Sequence, residues 1–387
     1  MAENDILIID DRDRYARFRL ISWWDQARIA RSKVLVVGAG ALGNEVLKNL
    51  ALLGIGHIVL IDYDEIEHSN LTRSMLYRSG DAGRPKAEVA AMRARELNPD
   101  IEVTWINGDV MKDVGLGWFQ DVDLVLGCLD NREARLWVNR QCWKVGIPWV
   151  DAAIQELMGV VKIFVPPDSA CYECAMTEQD YRLINLKYSC PLLRREDLIE
   201  GKTPTTPTIA AIAAGLQTQE ALKLIHGKPV QAGCALVFNG IVNNLYVTQL
   251  PRKEDCLSHH RYREIQEAPI GSRDTAHSLF KAVGSGDLLL DRELVISMKC
   301  DLCGRSVEVL RPRTDVTMRD GMCPKCQVVM SVEMGHVIPA DSPLAGRRLE
   351  ELGVPANDVV RVRQNGTTRH LRLASDRKPL KVRGGAE

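Results

Sequence analysis

Apolar residues recur along this chain in two rhythms, short runs of strand length and longer helical periods. Their alternation from Val34 onward predicts a parallel α/β layout. KVLVVG reads as a buried strand, LGNEVLKNLALLG as a helix ended by Gly54, and HIVLIDYD as a second strand. PKAEVAAMRARELNP carries Pro85 at a helix start and Pro99 at its stop, and DLVLGCLDN is a further strand. From about Gly159 the texture changes: GVVKIFVP, CALVFNG and NNLYVTQL alternate as antiparallel strands do, with the helix TIAAIAAGLQTQEALKLIHG between them. The expected fold is α/β, a Rossmann-like mixed sheet with a parallel first half and an antiparallel second half.

Around this core, residues 1–31 read as a charged, Trp-containing helical arm and 32–260 as the α/β domain. Residues 261–290, polar and Gly-containing, read as a linker. Residues 291–340 form a Cys-paired region, and 341–387 a small β-rich tail with hairpin-like alternation at QNGTT and a flexible end, KVRGGAE. A length of 387 residues suits one large domain plus a small one. Fifty Lys and Arg against 51 Asp and Glu leave a net charge of −1, so no basic field points to nucleic acid or an anionic membrane. The acidic N-terminus has too short an apolar run for a signal peptide. No stretch reaches the roughly 18 apolar residues of a membrane span, and the chain reads as cytoplasmic. Eleven Cys, an odd number with several in pairs, point to metal or thiol chemistry rather than disulfides.

Gly38, Gly40 and Gly43 form GxGxxG between a strand and a helix, where backbone can approach a phosphate at the helix N-terminus. Asp62 follows Gly43 by 19 residues, at the end of the next strand, the place for a carboxylate that binds ribose hydroxyls. This much supports a nucleotide, with a ligand-free tight turn as the plain alternative. Asn70, Arg73 and Lys86 then supply an amide and two cations where a triphosphate would lie. Asp130, at a strand end, can hold Mg²⁺ through oxygen. Each cation alone could be a solvated surface charge; together with Asp130 they favour ATP over NAD.

The run from Arg14 to Asn139, with RYARF, GAGALG, DYDEIEHSNLTR, AGRPKAEVA, LNPDIEV and CLDNREARLWVN, resembles the ubiquitin-activating-enzyme-like superfamily of ThiF, MoeB and HesA proteins. The likeness extends more loosely to about residue 260. It implies that ATP is attacked by the C-terminal glycine carboxylate of a ubiquitin-like or sulfur-carrier protein, giving an acyl-adenylate and pyrophosphate. Carried onto these positions, Asp62 would hold the ribose, Asn70, Arg73 and Lys86 the phosphates and Asp130 the metal, supported by Asp64 and Asn131. The family also implies a homodimer in which Arg17, in RYARF, reaches the partner's ATP, and a conjugating enzyme is a further candidate partner. Three alternatives stand beside this: adenylation of a sulfur carrier for cofactor biosynthesis, a noncatalytic half of a heterodimeric activating enzyme, and a nicotinamide oxidoreductase.

Cys171 and Cys174 form CYEC, and the resemblance implies that the other two ligands of a structural zinc come from a distant pair. Here DCLSHH offers Cys256 and His259, with His260 the less regular choice. Cys300 and Cys303 in CDLC and Cys323 and Cys326 in CPKC are separated by 19 residues, the spacing of a zinc ribbon. Cys190, in KYSCPLLRRE, is alone. The family carries near this place the Cys that forms a thioester or takes part in sulfur transfer, and basic neighbours would favour a thiolate. A small core residue is the alternative. Cys128, Cys142 and Cys234 read as core.

Overall fold

The computed structural model describes residues 12–185, 188–189, 193–194 and 204–382. Strands β1 (Lys33–Val37), β2 (His57–Asp62), β3 (Glu102–Asn107), β4 (Leu124–Gly127) and β5 (Trp149–Gln155) run parallel in the spatial order β3-β2-β1-β4-β5. The sheet continues antiparallel through β6 (Met158–Phe164) to two later strands, as the change of texture at Gly159 predicts. β2 and β4 lie on either side of β1, so strand order switches there and the carboxyl ends of these strands open a crevice, the usual ligand position in such sheets.

Strands β1, β2 and β4 are apolar at nearly every position because both faces are covered, while the edge strand β3 alternates and leaves Trp105 exposed. On one face lie α2 (Ala41–Leu53), α3 (Lys86–Leu97) and a long later helix; on the other lie α4 (Leu116–Gln120) and α5 (Arg132–Val145). Before β1 the expected arm forms two short pieces, a 3-10 turn at Ala16–Leu20 and α1 (Gln26–Arg31), capped by Asp25 accepting from Arg28 N at 2.9 Å. Tyr15 of the arm packs over the left-handed Gly54 that ends α2, where an added Cβ would lie 2.4 Å from the Tyr15 hydroxyl. Asn98 Nδ2 donates to that hydroxyl at 2.7 Å.

After β6 come α6 (Glu178–Asn185) and the two-residue strands β7 (Tyr188–Ser189) and β8 (Leu193–Arg194). The long helix α7 (Pro207–Ile225) follows, and β9 (Cys234–Asn239) and β10 (Asn244–Gln249) complete the sheet. Among the described residues no helix is long and apolar enough to cross a membrane.

The stretch 261–290, expected as a linker, is instead structured. It holds β11 (Ile265–Ala268), α8 (Ala276–Val283) and the start of β12 (Asp287–Lys299). Ala276, Leu279 and Phe280 are buried at i, i+3 and i+4, and the polar residues that suggest a linker are the outer face of this helix. β13 (Ser306–Pro312), β14 (Ser331–Pro339), β15 (Val359–Gln364) and β16 (Thr367–Leu373) join the same sheet, ordered β11-β16-β15-β12-β13 with β14 on β12. Residues 261–290, 291–340 and the tail thus share one sheet. The hairpin expected at QNGTT turns at Asn365 and Gly366, both at positive φ.

This second body is fastened to the first. Buried Arg372 donates to both carboxylate oxygens of Asp121, at 2.9 Å for Nη1, and to Asn357 Oδ1. Lys144 Nζ lies 2.5 Å from Asp291 Oδ2, and Leu380 is buried in the α4/α5 side of the core.

Candidate active site

The glycine loop joins β1 to α2. An added Cβ would lie 2.3 Å from Cys128 O at Gly38, where φ is +102°, and 2.0 Å from Gly38 O at Gly43. These two glycines let the loop close against the end of β4. At Gly40 nothing lies within 4 Å of such an atom, so the helix N-terminus stays open to an anion.

Asp62 Oδ2 accepts from Ala39 N at 2.6 Å and Oδ1 from Asp64 N at 2.8 Å. Burial raises its pKa, opposed by these two N–H donors and by the Lys86 charge. Lys86 opens α3 and places Nζ 2.7 Å from Asp64 Oδ2. Asn70 is buried and already engaged, its Oδ1 accepting from Glu67 N at 3.0 Å in the turn His68–Thr72. Arg73 Nη1 donates to Ser69 O at 2.8 Å. Asp130 is exposed beyond β4, and Asn131 caps α5, its Oδ1 accepting from Ala134 N at 2.8 Å while Nδ2 donates to Asp130 Oδ1 at 3.3 Å.

The ends of β1, β2 and β4 therefore bring Gly40, Asp62 and Asp130 to one edge, and Lys86 reaches it through Asp64. Arg17 is not at that edge. It is exposed on the arm beside Gly54, at the other end of a 13-residue α2, which spans about 20 Å. Cys190 lies outside the described residues.

Several braces of the site escape a reading of the sequence. Asn44 Nδ2 donates to Ala39 O and Gly40 O at 2.7 and 2.9 Å, its Oδ1 accepts from Leu76 N at 2.9 Å, and Tyr77 Oη donates to Ala39 O at 2.6 Å. Arg135, on α5, donates to Asp151 Oδ1 at 3.1 Å, to Ala152 O at 3.3 Å and to Leu129 O, tying the approach to Asp130 onto β5. Burial raises the Asp151 pKa, and Arg135 holds it down. The available signals were single polar residues inside apolar runs, Asn44 in LGNEVL and Asp151 in WVDAA.

Both cysteine groups come together. Cys171, Cys174, Cys256 and His259 present ligand atoms within 4.8 Å of one another, as do Cys300, Cys303, Cys323 and Cys326. A tetrahedral zinc with Zn–S near 2.3 Å sets its sulfurs about 3.8 Å apart. Cys171 Sγ lies 3.7 Å from Cys174 Sγ and 3.5 Å from Cys256 Sγ, and Cys303 Sγ lies 3.8 Å from Cys323 Sγ. His259 aims Nε2 at Cys174 Sγ, 3.4 Å away, and its ring stacks on Trp143. Both donor sets fit the metal. Cys128, Cys142 and Cys234 are buried, and burial pushes their thiols up, as expected of core residues.

The sulfur carrier protein ThiS adenylyltransferase of Escherichia coli (strain K12) is 30% identical over 258 residues, covering 64% of this chain and 96% of that protein. The SUMO-activating enzyme subunit uba-2 of Caenorhabditis elegans is 38% identical over 155 residues, 40% of this chain, so the chain spans only 27% of that relative. Among solved structures, E. coli MccB with ATP superposes with a TM-score of 0.54 at 25% identity, over 66% of this chain and 75% of that one. Residues 12–258 match the ThiF family, a span that takes in the arm, the glycine loop, the crevice and the sheet through β10. The arrangement of the crevice and this continuous match agree, and the chain belongs to the ThiF family.

Proposed function

We propose that this chain is an ATP-dependent adenylyltransferase that activates the C-terminal glycine of a ubiquitin-like protein, followed by thioester formation on Cys190. The observation that carries this is the meeting of Gly40, Asp62, the Lys86–Asp64 pair and Asp130 at one edge of the parallel strands. The carrier's carboxylate oxygen attacks the α-phosphorus of ATP, the bond to the bridging oxygen breaks, and pyrophosphate leaves. No protein nucleophile is needed for that step, so the chain's task is positioning and charge neutralisation. Asp62 would hold the ribose, Asn70, Arg73 and Lys86 the phosphates, and Asp130 a Mg²⁺, which would offset phosphate charge. Two Zn²⁺ would be structural, one in each cysteine group.

A homodimer fits this reading. Ala211, Ile212 and Gly215 are exposed on the first half of α7, where residues 209–216 are all apolar, which calls for a further partner surface. Arg17, held at the wrong end of α2 for its own crevice, would serve the partner's. The cysteines and the near-zero net charge suit a cytoplasmic protein with no nucleic-acid or membrane role. A conjugating enzyme would take the thioester onward.

Pyrophosphate exchange, screened against carriers with a free C-terminal glycine, tests the proposal; no exchange with any carrier counts against it. Sulfur-carrier adenylation is the second reading, favoured by the ThiS adenylyltransferase whose length is 96% covered. With carrier and ATP, the wild type should form a thiol-sensitive adduct that Cys190→Ala lacks. If neither forms one and both exchange pyrophosphate, the sulfur-carrier reading is the better one. A noncatalytic half of a heterodimer, suggested by relatives named as SUMO-activating subunits, sits poorly with Asp62, Lys86 and Asp130 all present.

A further inference from the structure

The loop that leaves β3, residues 108–115, begins beside Asp62 at the carboxyl edge of the parallel strands. β3 ends with Asn107 in register with Asp62, and Gly108 N donates to Asp62 O at 3.2 Å. The C-terminal body grips the second half of this loop, from Lys112 onward. Lys112 Nζ lies 2.5 Å from Asp315 Oδ1, and the Lys112 carbonyl accepts from Arg292 Nη2 at 3.1 Å. Arg292 Nη2 also donates to Gly353 O at 2.5 Å, so one guanidinium spans the two bodies. Beyond the lysine, Leu116 N donates to Asp358 Oδ1 at 2.8 Å and Gly117 N to Asn357 O at 2.9 Å. Gly115 leaves no slack, since an added Cβ would lie 2.5 Å from Asp358 N.

On the other side, Asp315 is followed by Val316, which is fully buried in the cluster that contains Cys300 and Cys323. One peptide bond separates the core of the cysteine group from the acid that holds Lys112. The side chains of Lys112 and Asp315 are 25% and 30% exposed, so solvent screens the pair only in part.

We infer that Lys112 and Asp315 are positioning residues through which the Cys-rich C-terminal body sets the shape of the nucleotide crevice. The inference rests on the reading of that crevice as an ATP site. If the pair merely glued two bodies together, its loss would lower stability and leave nucleotide affinity alone. If it positions the loop, affinity changes, and a reversed pair restores it.

The test is calorimetric titration of the full chain with ATP and Mg²⁺. Lys112→Ala and Asp315→Ala should each weaken ATP binding about fivefold or more, a typical coupling between sites. The reversed pair, Lys112→Asp with Asp315→Lys, should return to within about twofold of the wild type, the signature of a direct interaction. In pyrophosphate exchange the single variants should raise KM for ATP and keep kcat. Should an alanine variant fail to fold, Lys112→Met and Asp315→Asn remove the charge with less loss of volume. ATP binding by the wild type with unchanged affinity in the single variants overturns the inference alone, as does a folded reversed pair that recovers nothing. A wild type that binds no ATP overturns the adenylation reading, and this inference with it.

Discussion

Lys86 Nζ and Asp64 Oδ2 lie 2.7 Å apart, with Lys86 11% and Asp64 46% exposed, so the lysine is held at the crevice before any nucleotide arrives. Asp64 in turn follows Asp62, whose carboxylate receives the Asp64 N–H. Asp62, Lys86 and the glycine loop are thereby one connected unit. Lys86→Ala should lower carrier-dependent pyrophosphate exchange a few hundredfold, about 3 kcal/mol of lost charge stabilisation. Asp64→Asn, which leaves the cation in place, should cost much less. Initial rates at saturating ATP decide this, and a Lys86→Ala rate close to wild type would remove Lys86 from the chemistry.

Asp130 is exposed, and among the described residues its side chain accepts a single hydrogen bond, from Asn131 Nδ2 at 3.3 Å, so its role can be separated from folding. Asp130→Ala should hold stability within about 0.5 kcal/mol of wild type and abolish exchange. Because Arg17 would act across a dimer, mixing Arg17→Ala with Asp130→Ala protein should recover part of the exchange through one intact site. No recovery in demonstrably mixed dimers speaks against the crossed site.

Two Zn²⁺ per chain are expected by elemental analysis of purified protein. Cys300→Ser should lower the content to one, as should Cys171→Ser, because each group supplies four ligands and neither shares any. A content near one in the wild type, unchanged by Cys300→Ser, would remove the ribbon site.

Asp358 links the two bodies and should show itself in the pH dependence of stability. Burial, with Asp291 beside it, raises its pKa from the ordinary 3.8 to about 6. The folded chain therefore holds this proton more tightly than the unfolded one. The stability it contributes is full in acid and is lost as pH rises through about 6. Asp358→Asn keeps an oxygen acceptor for Leu116 N without the charge. Its thermal midpoint relative to wild type should climb as pH is raised across that range and then level off; a constant difference would show that Asp358 does not titrate there.

The order of residues along the chain specifies the unit from Val34 to Asp62, the acid at the end of β4 and the two C-terminal CxxC pairs, because each is written in short spacings. A glycine turn, an apolar run and a CxxC need only neighbouring residues to declare them. It also determined the switch to antiparallel strands, since burial on one face or two leaves its period in the chain. The closed fold settles what depends on distant cover. Ile265 pairs with His370, more than a hundred residues away, so the polar outer face of α8 reads as a linker until β12 and β16 supply the other side. It decided that Arg17 sits at the Gly54 end of α2, because Tyr15 fills the space that Gly54 leaves. It alone showed Asn44, Tyr77 and Arg135 as braces and the Lys112–Asp315 contact between bodies, for a hydrogen bond to a backbone carbonyl or an ion pair across a fold leaves no periodic trace. Periodicity records that a side chain is buried; only the closed fold states what buries it.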